Sequence, residues 1–295
     1  MTTRSVLITG ASRGIGRATA MRLARSGWTV YGGVRSDVAA KELTTESDQI
    51  VPVELDVTVP EHVAALDDVL PDHLDGLVNN TGIAVAGPVE TLSRAEVHHQ
   101  FDVNLAGPLE VTRAVLPRLR RAHGRIVFIS SINGRVSFPF TGMYNASKYA
   151  VEAIADCLRV ELRPFGVSVA LVEPGVIDTE PWHRMDALID HLEAALAPEM
   201  RALYTNHFTG ERLLVAKIRK GALPADRAAQ AVERALGRRR PRPRAMVGRD
   251  ARIILGMKTL LPARRLDNIW ARGLHLPSTS AQQASGAGPT AVPRR

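Results

Sequence analysis

Six short runs of β-branched and apolar residues alternate with helical patterns along the first 175 residues: "SVLITG", "TVYGGV", "IVPVELDV", "DGLVNN", "GRIVFIS" and "VSVALVEPG". Strands separated by amphipathic helices read as repeated βαβ units, which build a parallel sheet covered by helices on both faces. The expected fold is therefore α/β, a doubly wound parallel sheet. Ligands of such sheets bind beyond the carboxyl ends of the strands. The polar and glycine residues of these runs fall at those ends.

The alternation stops between Thr179 and Gly221, where Met185, Leu188, Leu192 and Leu196 recur at helical spacing with Trp182, Met200, Leu203, Tyr204 and Phe208 nearby. That pattern predicts a helical insertion with an apolar face, placed as a lid over the substrate. A further helix spans Pro224 to Leu236, followed by the basic loop "RRRPRPR". Ile253, Ile254, Met257, Leu260 and Leu261 then share one face of a helix, with Arg252 and Lys258 elsewhere on it. This face is expected to pack on the body, with a membrane surface as the alternative. From Ser278 onward apolar residues are too few to offset the entropy of ordering, so a disordered tail is expected over 278–295. Residues 1–277 then form one domain, with the lid at 179–221 and a basic extension at 237–277.

Net charge is +8, yet residues 234–295 hold 14 Lys or Arg against Asp250 and Asp267 alone, so the preceding part is acidic. No interleaved aromatics or recognisable module accompany the basic run, which argues against nucleic acid. A solvated loop or peripheral contact with anionic lipid headgroups remains. Cys157 is the one cysteine, so neither an intramolecular disulfide nor a cysteine cluster for metal is available. It is expected as a small buried side chain on a helix, in a reducing compartment. The first apolar run begins at Ser5, leaving no room for a secretory leader, and no run is long enough to span a membrane. A cytoplasmic location is expected.

"ITGASRGIGRATAMRLA" sets Gly10, Gly14 and Gly16 between a strand and a helix. Glycines permit the tight turn and close backbone approach, while the helix N-terminus offers unpaired N–H groups to a pyrophosphate. The spacing is Gly-x-x-x-Gly-x-Gly. Together with "NNTG" (Asn79–Gly82), Ser131, "YNASK" and "PGVIDT" (Pro174–Thr179), in that order, it resembles the short-chain dehydrogenase/reductase family in its single-domain branch. The likeness is dense from residue 5 to 180 and looser to 275, where it is similar to members acting on retinoids and 17-oxosteroids. Thr81 stands where alanine is usual. The resemblance implies a Rossmann-type fold and contacts with the dinucleotide cofactor by Gly10, Ser12, Arg13, Gly14, Ile15 and Gly16. It implies further contacts by Asp56 and Val57 at the adenine, by Asn80 and Gly82, and by Pro174, Gly175, Val176 and Thr179.

Cofactor choice is read from charge. A carboxylate after the second strand would bond the ribose hydroxyls of NAD, whereas an arginine accommodates the 2′-phosphate of NADP. "VYGGVRS" puts uncharged Val34 at the acidic position and Arg35 next, and Arg13 supplies a second cation. NADP(H) is expected over NAD.

Tyr144 and Lys148 stand four apart on one helix face. A phenol with its ordinary pKa near ~10 is a poor acid or base at neutral pH, and a neighbouring ammonium is expected to lower it. Tyr144 would exchange the proton with a carbonyl or alcohol oxygen, and Ser131 would hold that oxygen by a hydrogen bond. The resemblance adds Lys148 as a ligand of the nicotinamide ribose and Asn104 as the residue that maintains a water relay to Lys148. Phe138, Pro139, Phe140 and Met143 supply an apolar wall, which points to a retinoid, steroid or long-chain carbonyl. Small polar ketones or 3-oxoacyl compounds are the alternative substrates, and a non-catalytic NADP(H)-binding sensor or scaffold is the alternative class. A nucleotide-sugar epimerase would need another glycine spacing and a larger C-terminal domain. The helix "ASKYAVEAIADCLRVEL" resembles the one that pairs subunits in relatives, implying a homodimer or homotetramer.

Overall fold

A chain that repeats β-strand and helix must bury both faces of its sheet, so its strands should be apolar throughout rather than alternating. The computed structural model describes residues 4–276, and the tail expected to be disordered lies outside the described residues. Strands β1 (Ser5–Ile8) and β4 (Gly76–Asn79) are buried at every position, and β6 (Ser168–Pro174) at all but its first. The other sheet strands are β2 (Thr29–Val34), β3 (Ile50–Glu54) and β5 (Arg125–Ile129). β7 (Ile177–Asp178) and β8 (Leu223–Pro224) form a separate two-stranded ladder, and β9 (Arg244–Val247) joins the main sheet.

The sheet runs β3-β2-β1-β4-β5-β6-β9, all parallel. The chain winds outward from β1 in one direction as far as β3, then crosses to β4 and winds the other way. This switch point lies between β1 and β4, where a crevice opens at the strand ends. Successive side chains point to opposite faces. Val6 and Ile8 therefore enter one core with Leu23, Val30 and Val232, while Leu7 enters the other with Leu77, Val115 and Leu171.

The helices on the first face include α1 (Gly14–Arg25) and α11 (Ala225–Gly237), with α2 (Asp37–Glu46) beside them. The opposite face is covered by α3 (Pro60–Ala64), α4 (Leu66–Val69), α6 (Gly107–Ala122) and α7 (Gly142–Glu161), with α5 (Arg94–Phe101) packed on α7. The insertion forms α8 (Glu180–His183), α9 (Met185–Ala195) and α10 (Pro198–Arg219), as its periodicity predicts. Phe140, Ile189, Phe208 and Val215 make its buried cluster, each contributing about 1.5–3 kcal/mol on burial. Ile189, rather than its neighbour Leu188, occupies the buried position of α9.

Three expectations require correction. The basic segment is more than a loop, since Arg244 begins β9 and pairs in register with Leu171 of β6. A guanidinium is tolerated there because Glu152, Asp156 and Glu173 lie 2.9, 2.7 and 3.2 Å from Arg244. Second, the apolar face of α12 (Arg249–Leu260) is divided. Ala251, Ile254 and Leu255 pack with Trp270 of α13 (Ala263–Gly273), but Ile253 and Leu260 are 62% and 82% exposed. Third, Cys157 is exposed. The buried stripe of α7 contains Val151 and Ala155, and two further residues rotate the helix by about 200°, to its outer face.

Candidate active site

Gly10 and Gly14 adopt φ of 65° and 55°, which residues with side chains seldom reach. A Cβ on Gly16 would stand 2.2 Å from the Gly10 carbonyl oxygen, so only glycine allows α1 to begin so close to the loop. Asn80 shapes this loop by donating to the carbonyls of Thr9 and Gly10, both at 3.0 Å. The Thr81 hydroxyl stands over Gly10 and Thr179 over Gly14. The first turn of α1 has no side-chain cap, so its N–H groups point into the crevice as donors for a pyrophosphate.

Ser12, Arg13, Arg35, Ser36, Ala39 and Asp56 line a cavity of about 470 Å³ beside this loop. Both expected cations therefore reach one site. Arg13 pairs with Glu180 at 2.9 Å and Arg35 with Asp56 at 3.5 Å. Burial works to raise the Asp56 carboxyl, but Thr58 and Arg35 outweigh it and hold Asp56 below its ordinary value. Val57 is buried, its side chain and carbonyl both packed against Gly107, and it is not among the residues lining this cavity. Ile15 is half-buried against the first core. Gly175 and Val176 follow Pro174 at the end of β6 and are fastened by Asp250 of α12, whose carboxylate accepts from the Val176 N–H at 2.9 Å.

Gly82 approaches Asn104 and Lys148 so closely that a Cβ there would meet Oδ1 and Nζ at 3.4 and 3.6 Å. Asn104 lies in a π-helical turn at Asp102–Ala106, an insertion that often marks a functional position. Its side chain accepts from the Ile83 N–H at 2.8 Å and donates to the Ile83 carbonyl and the Ser147 hydroxyl. Lys148 donates to the Ile129 carbonyl at 2.8 Å and sits 5.7 Å from the centre of the Tyr144 ring. Burial brings its ammonium down to about 8, partly offset by Glu152. Ser131 caps the turn after β5 and exchanges hydrogen bonds with Asn133 at 3.2 Å.

The expected depression of the Tyr144 phenol is corrected. Burial raises it above its ordinary value, and Ser131, the polar group at the phenol, pulls it only partly back. Lys148 is held by a backbone carbonyl, with its ammonium over the Tyr144 ring. The buried phenol is thus a proton donor by default.

The apolar wall is split as well. Phe138 packs on Trp270 with centroids 4.9 Å apart, facing the C-terminal helices, whereas Phe140 meets Phe208 of the insertion at 5.2 Å. Phe140 is held at φ 62°, a strained conformation for a residue with a side chain, and its carbonyl accepts from the Gly87 N–H at 2.7 Å. Several supporting residues escaped sequence reading: Thr9, Asn133, Ser147, Asp250 and Glu152. Thr9, Ser147, Asp250 and Glu152 act through hydrogen bonds or charge to segments distant in sequence, and Asn133 ties Ser131 to Asn145, which no local pattern signals.

The family model for short chain dehydrogenase matches residues 4–188. The chain belongs to the short-chain dehydrogenase family. Among curated proteins this dehydrogenase is 36% identical over 275 residues to retinol dehydrogenase 16 of Homo sapiens, covering 90% of the chain and 86% of the relative. It is 35% identical over 271 residues to the uncharacterized oxidoreductase YbbO of Escherichia coli, covering 90% and 93%. A short chain dehydrogenase from Burkholderia cenocepacia, solved in complex with NADP, superposes with a TM-score of 0.70 at 27% identity, covering 93% of this chain and 98% of that one. The short-chain dehydrogenase described here is accordingly an oxidoreductase with a Rossmann-type fold.

Proposed function

We propose that this short-chain dehydrogenase interconverts a carbonyl and an alcohol with NADP(H), on a bulky apolar substrate. The observation that carries the reading is the convergence of Ser131, Tyr144 and buried Lys148 at the strand ends beside the glycine loop. NADPH fits the residues present: uncapped N–H donors suit its pyrophosphate, and Arg13 and Arg35 suit its 2′-phosphate. The NADP complex of the Burkholderia relative supports this choice.

NADPH, when bound, supplies the hydride. Tyr144, kept neutral by burial, donates its phenolic proton to the substrate oxygen as negative charge develops there. Ser131 donates a hydrogen bond to the same oxygen and fixes its position. Lys148 stabilises the phenolate left behind, and the reverse reaction uses that phenolate as base. Asn104 fixes the Ile83 loop and Ser147 behind Lys148.

The lid cluster with Phe140 favours an apolar skeleton such as a retinoid, a steroid or a long-chain carbonyl, and the similarity to retinol dehydrogenase 16 supports that class. Exposed Ala153, Cys157 and Val160 on α7 form a face for a second subunit in a homodimer or homotetramer. No helix among the described residues is long and apolar enough to cross a membrane. The basic C-terminal part, with Ile253 and Leu260 exposed, supports peripheral contact with membranes that dissolve such substrates. The test is NADPH and NADH oxidation across retinal, steroid ketones, long-chain aldehydes and small polar carbonyls. NADPH-dependent turnover of a bulky apolar compound is expected. Turnover confined to small polar carbonyls would overturn the substrate class, and no cofactor binding would overturn the reading as a whole.

A further inference from the structure

Glu152 is a buried carboxylate one helical turn beyond the proton-transfer group. It follows Lys148 by four residues and Tyr144 by eight, so the three share one face of α7. Lys148 and Glu152 are each 5% exposed. Gly134 lets the turn after β5 close over this face: a Cβ there would stand 2.8 Å from Ser130 Oγ and 3.0 Å from both Glu152 Cγ and the Lys148 carbonyl. The Gly134 N–H donates to the Ser131 carbonyl at 2.9 Å. Glu152 thus lies between the turn that carries Ser131 and the helix that carries Tyr144 and Lys148.

The fold alone does not call for a carboxylate at this position. Arg244 meets Asp156 at 2.7 Å and Glu173 at 3.2 Å, and Arg135 meets Glu173 at 3.0 Å, so both guanidiniums have a carboxylate without Glu152. Glu152 instead sets a second buried carboxylate near Glu173, and the two repel. Its Oε2 accepts from Arg244 at 2.9 Å, whereas its Oε1 is buried with no hydrogen-bond partner, as is Ser130 Oγ. A native structure that keeps such a group calls for an explanation. The remaining charges of the cluster are engaged elsewhere. Asp156 also pairs with Arg159, and Lys258 of α12 reaches the Arg135 carbonyl and the Tyr149 hydroxyl. Around Lys148 the other neighbours are neutral: the Ile129 carbonyl, the Tyr144 ring, Gly82 and the Asn104 amide. Glu152 is the charge that faces it, and it offsets part of the burial that lowers the ammonium.

We propose that Glu152 is a positioning residue for the reaction: its carboxylate, pinned by Arg244 of β9, keeps buried Lys148 in the charged form that stabilises the Tyr144 phenolate. This role rests on the carbonyl–alcohol reading of the site and deepens it, since it makes a strand of the C-terminal segment part of the support of the catalytic lysine. At the ~6 Å that separates side chains one turn apart, and at an effective dielectric constant of about 20, a full charge moves a neighbour by about two pH units. The guanidinium on the same carboxylate offsets roughly half of that.

Glu152→Gln removes the charge and keeps the size and an acceptor for Arg244. The chain has five lysines, Lys41, Lys148, Lys217, Lys220 and Lys258, so NMR of protein carrying isotope-labelled lysine resolves their titrations, with Lys148→Met to assign the signal. Lys148 should titrate at about 8 in the wild type and about one pH unit lower in Glu152→Gln, while the four exposed lysines stay in place. Glu152→Met combined with Arg244→Met removes the ion pair as a unit, which buried pairs often tolerate, and should move Lys148 in the same direction if the single variant fails to fold. A Lys148 titration that stays put or rises in the folded variant overturns the proposal, and a merely structural role would lower the Tm without moving it. NADPH oxidation with retinal and with decanal across the same pH range separates the two levels. The alkaline limb of kcat should follow Lys148 downward by about one pH unit. A shifted titration without turnover sinks the carbonyl–alcohol reading alone, whereas turnover with an unshifted limb sinks the role of Glu152 alone.

Discussion

Replacing Arg35 by alanine should weaken NADPH binding far more than NADH binding. Arg35 and Arg13 line one cavity, and their side chains are 68% and 62% exposed. A hydrogen bond to a charged group contributes about 1.5–3 kcal/mol. High exposure and the competing Asp56, at 3.5 Å, place Arg35 at the lower end, about 1.5 kcal/mol or a little over tenfold in Kd. Asp56 keeps its two hydrogen bonds from Thr58 in the variant, so the cavity wall should stand. NADH has no 2′-phosphate, and its Kd should move by less than roughly twofold. Fluorescence titration of both cofactors at low and high salt measures this, and the NADPH difference should shrink as salt screens the exposed charge. Equal weakening of both cofactors, or a wild-type preference for NADH, would refute the reasoning.

The neighbouring pair gives the opposite sign. Glu180→Gln releases Arg13 from its 2.9 Å ion pair and should tighten NADPH about twofold in the same titration, with NADH unchanged. Tyr144→Phe should lower kcat by about 10²–10⁴ while leaving the NADPH Kd in place, and residual activity above one tenth would exclude Tyr144 as the acid. Lys148 is 5% exposed, and its shift from an ordinary 10.5 to about 8 corresponds to roughly 3 kcal/mol of burial cost at neutral pH. Lys148→Met should therefore lose activity yet raise the Tm by a few degrees at pH 7. The unfolded chain holds the lysine proton up to higher pH than the folded one, so wild-type stability gains on the variant as pH rises through 8. A gap that widens between pH 7 and 9 would contradict the sign. Arg244→Met strands Glu152, which is 5% exposed, while Glu173 keeps Arg135 at 3.0 Å, and should cost about 3 kcal/mol in urea unfolding.

Six strands and the glycine loop were legible because apolar runs and left-handed glycines are local signals. Arg244 shows where such signals end. "RAMV" opens with a charge and follows a proline-rich basic run, and only Glu152, Asp156 and Glu173, all more than 60 residues away in sequence, make it a strand. Cys157 and Ile253 fail differently. Both lie on helices whose apolar face is wider than the surface that covers it, and sequence periodicity does not reveal where cover stops. Ser131, Tyr144 and Lys148, singled out by their order in the sequence, lie together in the structure, with Ser131 at the Tyr144 phenol and Lys148 5.7 Å from its ring. The direction of the Tyr144 shift depends on burial, offset only in part by Ser131, and burial is a property of the packed site.

The short ladder between Ile177–Asp178 and Leu223–Pro224 brings the two ends of the lid together beside the sheet. Everything between them is an excursion that leaves and re-enters at one point. Its length is therefore uncoupled from the register of the strands, while Thr179 and Glu180 at its start tie it to Gly14 and Arg13 of the glycine loop. The insertion can be treated as an exchangeable cassette: a graft of a different helical pair between His183 and Leu223 would leave the ladder and the contacts of Thr179 and Glu180 in place, so the sheet should fold as before.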